Sequence, residues 1–120
     1  MATFAFVVPV LPGKEDTDRE TMQRFLAGDE KDAYDASRRS LGFQREAIWH
    51  QETPDGTLAI VMWEAEDIEQ AFGGIARSDQ PFDQRFREFL RDVHGIDVAN
   101  DPPPNVRQVI DHRFDVDSEQ

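Results

Sequence analysis

WHQETPDGTLAIVMW, residues 49–63, decides the fold. Its centre, Thr53-Pro54-Asp55-Gly56, is a turn. Pro54 presets one backbone angle and Gly56 accepts a positive φ, which together signal a tight hairpin. Residues 58–63 are apolar at every position. The run is too short for an independent helix and is rich in β-formers, so it reads as a strand. A strand sends alternate side chains to opposite faces, so this one is apolar on both. In a chain of 120 residues, the second apolar face needs a cover.

Outward from the hairpin, residues 43–51 form the strand before it and residues 58–64 the strand after it. Near the start, TFAFVVPV (residues 3–10) reads as a further strand, followed by a Pro-Gly turn over residues 11–16. Thr17 or Asp18 can cap a helix, with Glu20 completing a capping box. Met22, Phe25, Leu26, Ala33 and Ala36 make one stripe, so a single helix is expected to about Ser40. Gly28 weakens its middle and Gly42 stops it. Asp67 can cap a helix over residues 68–76. Ser78 or Asp79 can cap another that carries Phe82, Phe86, Phe89, Leu90 and Val93 at helical spacing. NDPPPN (residues 100–105) is an extended connector, because each proline restricts the residue before it. Residues 106–114 read as a fourth strand, polar enough for an edge, and DVDSEQ (residues 115–120) as an acidic frayed tail. One domain over residues 1–114 is expected.

The order β-α-β-β-α-β, with one tight hairpin and two helical crossovers, predicts an α+β ferredoxin-like fold. Its four-stranded antiparallel sheet has the strand order 4-1-3-2. Right-handed crossovers put both helical regions on one face and leave the other bare. A bare apolar sheet is unusual in a monomer, and a second copy covers it most simply. A homodimer with sheets face to face is therefore expected, each subunit hiding about 800 Å². The alternative is a monomer whose tail or connector folds across the sheet.

The net charge of −12 argues against nucleic acid and anionic membrane surfaces, both of which need cationic partners. No apolar run approaches the roughly 20 residues that span a bilayer. The start carries no basic segment of the kind that opens a signal peptide, so a cytoplasmic protein is expected. Absence of cysteine removes disulfides, thiolate nucleophiles and cysteine metal sites.

Leu11-Pro12-Gly13-Lys14 after the first strand, and Trp63-Glu64-Ala65-Glu66-Asp67 before the second helical region, resemble the dimeric α/β-barrel superfamily. That group includes antibiotic-biosynthesis-monooxygenase-like proteins. The resemblance covers about residues 3–114. It implies a ferredoxin-like subunit, a dimeric barrel and a small-molecule cleft between sheet and helices. It does not imply one activity, since fold analogy cannot choose a reaction.

The histidines are the first candidates for chemistry, because only such side chains titrate near neutrality unperturbed. His50 closes the second strand and His112 lies in the expected fourth. In a dimer these opposite edges can meet, which would pair His50 of one chain with His112 of the other as an acid–base site. The alternative is that both are edge residues. His94, at a helix end, suits the dipole when charged and reads as structural. Trp49, Trp63 and Tyr34 can line a flat pocket for an aromatic ligand, or pack as ordinary core. Arg45 could hold an anionic group, but an ion pair across the sheet explains it as well. No metal-ligand spacing, P-loop, G-x-G-x-x-G or nucleophile elbow is present, so neither metal nor cofactor is expected. The functional expectation is a small organic ligand bound between sheet and helices, with cofactor-independent monooxygenase or isomerase chemistry. The alternative is a non-catalytic dimeric binding or sensor protein.

Overall fold

In the structure, a computed structural model that describes residues 1–115, the strands are β1 (Ala2–Val10), β2 (Phe43–Thr53) and β3 (Gly56–Ala65). They form one antiparallel sheet in the order β1-β3-β2. The hairpin closes on the Thr53–Gly56 pair. There the Thr53 hydroxyl donates to the Gly56 carbonyl at 2.8 Å and accepts from the Asp55 N–H at 3.1 Å. Gly56 takes φ +129°, a conformation that a side chain would strain.

The helices are α1 (Glu15–Ala27), α2 (Lys31–Ser40), α3 (Ile68–Arg77) and α4 (Pro81–Phe89), the last widening into a π turn over Leu90–His94. Asp67 caps α3, its carboxylate accepting from the Gln70 N–H at 3.0 Å. Among the described residues, no helix is long and apolar enough to cross a membrane.

Alternation along β3 resolves its double-faced grease. Ala59, Val61, Trp63 and Ala65 are buried against the helices. Register puts Phe6 and Ile48 on either side of Val61, on the same inner face. Trp63 packs edge-on to Phe6 at 5.2 Å and against Phe72 of α3 at 4.4 Å between ring centroids. Full burial of side chains of this size contributes roughly 1.5–3 kcal/mol each. The opposite face carries Val7 and Trp49, which are 53% and 51% exposed.

The expected four-stranded ferredoxin-like sheet is overturned, and with it the dimeric α/β barrel assembled from such subunits. The sheet has three strands, and residues 106–114 form no strand among the described residues. They run as an exposed arm, with Val109 and Ile110 90% and 79% exposed. Val, Ile and Phe favour strands, but the preference is for packing on a half-buried surface, and propensity alone supplies no neighbour. Pro102, Pro103 and Pro104 hold the chain extended where it enters the arm. The expected single first helix is also two. The chain breaks at Gly28, which is extended and returns its N–H to the Arg24 carbonyl at 3.0 Å. A side chain at Gly28 would collide with the Arg24 backbone. Of the expected tail, residues 116–120 lie outside the described residues.

Candidate functional site

Two buried polar clusters lie between the inner sheet face and the helices. The first centres on Asp18. This residue reads as a cap, but α1 begins three residues earlier, at Glu15, and has no side-chain cap. Asp18 therefore sits inside the helix, on the inner stripe with Thr21 and Phe25, and is 2% exposed. His50 projects inward from β2, and its Nε2 lies 2.6 Å from Asp18 Oδ2. From the other side, His94 Nε2 lies 3.4 Å from Asp18 Oδ1.

The ring environments assign roles to the nitrogens. His50 Nδ1 faces the Arg19 guanidinium at 3.4 Å. Arginine can only donate, so Nδ1 is the acceptor and Nε2–H donates to Asp18. His94 Nδ1 lies 2.7 Å from the Pro9 carbonyl. Both of its nitrogens thus face oxygen acceptors, an arrangement that only the doubly protonated ring satisfies completely. The π turn, a common feature of functional sites, delivers His94 here. Burial works against the Asp18 charge. Hydrogen bonds from His94 and His50, and electrostatic attraction to both rings, outweigh burial and hold the carboxyl below its ordinary value.

Glu46 anchors the second cluster, from the same inner face of β2. Its Oε1 accepts from the Tyr34 hydroxyl at 2.7 Å and from Arg38 Nε at 2.9 Å, and its Oε2 accepts from Trp63 Nε1 at 3.0 Å. The Arg38–Glu46 pair is almost fully buried. Burial disfavours the Glu46 charge, but Arg38 first, then the hydrogen bonds, keep its carboxyl below the usual range. Burial, followed by the neighbouring Glu46 charge, pushes the Tyr34 phenol up, so Tyr34 stays a donor. Behind Glu46, Arg38 lies 4.5 Å over the Phe86 ring and donates to Ser37 at 3.2 Å. Ser37 donates on to Asp83 at 2.5 Å. Such a satisfied chain fixes the side chains that face the cleft.

A cavity of about 340 Å³ opens between these clusters, lined by Arg19, Met22, Phe25, Tyr34, Glu46 and His50, among others. It adjoins a groove of about 830 Å³ that shares Met22, Glu46 and Ile48 with it and runs past Asp18 and His94 to β1. Both volumes lie in the range of small-molecule sites, roughly 300–1,000 Å³. No group of three or more His, Cys, Asp or Glu set to hold a metal occurs among the described residues.

Of the residues singled out from sequence, His50 and Tyr34 line the smaller cavity, and Trp63 supports Glu46 from the groove side. Trp49 and Arg45 have the opposite parity on β2. Trp49 is half exposed, and Arg45 makes an exposed pair with Glu64 at 3.7 Å. His112 lies in the exposed arm, edge-on to Phe114 at 4.6 Å. Sequence reasoning missed Asp18, Glu46 and Arg38, and gave His94 only a structural role. Two signals were available. Glu46, Ile48 and His50 share one face at strand spacing, and Asp18, Thr21 and Phe25 share one face at helix spacing.

No family model matches the sequence, and no curated protein matches it significantly.

Proposed function

We propose that the chain binds a small organic molecule in the cavity beside His50 and moves a proton on it, as an isomerase does. The observation that carries this is the Asp18–His50 pair. A buried carboxylate 2.6 Å from Nε2 fixes the ring and its tautomer, leaving Nδ1 as the acceptor beside the cavity. An oriented imidazole of this kind is a general base. The Arg19 contact at 3.4 Å is long and easily displaced, and the guanidinium is then available to a developing oxyanion. His50 takes a proton from a carbon next to a carbonyl and returns it to the conjugate position, so no oxidant or cofactor enters. Phe25 and Tyr34, stacked with centroids 5.0 Å apart, favour a flat, partly aromatic ligand. The resemblance to antibiotic-biosynthesis-monooxygenase-like proteins suggests the same ligand class. We also propose that the chain works as a homodimer, because its sheet and arm expose Val7, Trp49, Val109 and Ile110.

A second reading, non-catalytic binding or sensing, is favoured by Glu46, whose oxygens are already taken. One experiment separates the two. 2-Tetralone, a compact ketone with acidic α-hydrogens, is incubated with the protein in D₂O and followed by NMR. Accelerated α-deuteration that disappears in His50→Ala supports proton transfer. Binding without acceleration supports the sensor. Neither binding nor acceleration sinks the ligand assignment for this class.

A further inference from the structure

We propose that the arm, residues 106–114, docks in the groove beside β1 of a second copy. The inference rests on the homodimer reading and specifies its contact.

Three observations converge on it. First, the arm is extended and exposed along its whole length, yet carries Val106, Val109, Ile110 and Phe114. Isolated apolar residues on a surface are ordinary, but such a density in one extended segment marks a binding element. Second, β1 is an edge strand, paired only with β3. Its nine residues match the nine of the arm, and the groove beside it is floored by Phe4, Val8 and Phe72. An unpaired strand edge over an apolar groove is the receiving half of β-augmentation. Third, the charges are complementary. Arg107 and Arg113 against Asp111 leave the arm with net charge +1, on a chain whose net charge is −12. The arm is thus a cationic segment that suits an acidic body.

The occupant is a second copy because the chain's own arm is carried past this groove. Pro102, Pro103 and Pro104 line the rim of the groove, after which the arm leaves it exposed. A proline run is stiff and extended, advancing about 3.1 Å per residue, and resists folding back. The area is also sufficient. Each partner contributes one arm and one groove, so a standard interface of about 800 Å² per partner asks roughly 45 Å² of each arm residue. Phenylalanine alone can bury about 150–250 Å².

The absence of cysteine makes the test clean. Full-length Val7→Cys and Val109→Cys proteins, together with an Ile110→Cys protein for the other face of the arm, are mixed in pairs and oxidised. Native mass spectrometry gives subunit number for the wild type and for a Val109→Asp/Ile110→Asp protein. The proposal expects a wild-type dimer, a disulfide joining Val7→Cys to an arm-cysteine protein, and association weakened at least about 100-fold toward monomer in the aspartate protein. Both arm residues are exposed, so these aspartates leave the monomer folded. A wild-type dimer with no mixed disulfide, and no loss in the aspartate protein, overturns the arm contact and leaves the homodimer standing. A wild-type monomer overturns both. Disulfide closure within one chain of a Val7→Cys/Val109→Cys protein places the arm on its own sheet and also overturns the proposal.

Discussion

Replacing Asp18 by asparagine should destabilise the protein by about 3 kcal/mol at neutral pH. The magnitude follows from what the carboxylate holds. It accepts from His50 at 2.6 Å and pairs with His94 at 3.4 Å, while 2% exposed. Two hydrogen bonds to one buried charge, each contributing about 1.5–3 kcal/mol, are weakened together. Asparagine keeps the shape, so the loss is electrostatic and leaves no cavity. For a chain of this size the midpoint temperature should fall by roughly 12 °C, at about 4 °C per kcal/mol. Because the folded-state pKa of Asp18 lies below its ordinary value, the native state binds this proton more weakly than the unfolded state. Its stabilisation is therefore complete above the unfolded value and is lost as pH falls through the folded one. Urea unfolding of both proteins at neutral pH, and then between about pH 4 and pH 2, should show the gap closing in acid. A loss below about 1 kcal/mol at neutral pH, or a gap independent of pH, would refute the assigned charge pairing.

Glu46→Gln should cost about 3 kcal/mol in urea unfolding, since the amide cannot accept from Tyr34, Arg38 and Trp63 together and leaves Arg38 buried without its counter-charge. That cost, too, should shrink in acid, because Glu46 is also held below its ordinary value. Arg45→Ala should change stability by less than about 0.5 kcal/mol in a thermal melt, since its pair with Glu64 is long and solvent-exposed.

The hairpin was legible because its signals are local. Pro54 and Gly56 are punctuation, and residues 58–63 cannot be anything but a buried strand at that length. The break at Gly28 was half legible: glycine announced weakness, but not that its backbone would press against Arg24 too closely for any side chain. The arm was not legible at all. Residues 106–114 carry strand-forming side chains, and whether they form a strand depends on a neighbour that local propensity does not describe. Three consecutive prolines were read as a connector, when their stiffness also decides where the following segment cannot go.

The site was hidden by a correct principle applied at the wrong boundary. An aspartate near a helix start is usually a cap, and a shift of a few residues in that start turns a surface cap into a buried acid. The helix stripe settles the matter. Asp18 is spaced with Thr21 and Phe25, so a helix that buries Phe25 against Tyr34, Phe82 and Phe86 must bury Asp18 as well. A buried carboxylate needs partners, and here inward-facing strand positions and a neighbouring helix end supply them. In this chain, His50 and His94 occupy those places, one on the inner face of β2 and one in the π turn. The same parity that turns His50 inward turns Trp49 outward, toward the face with Val7. One strand thus divides its neighbours between two places, a buried polar cluster on the inner side and an apolar surface on the outer.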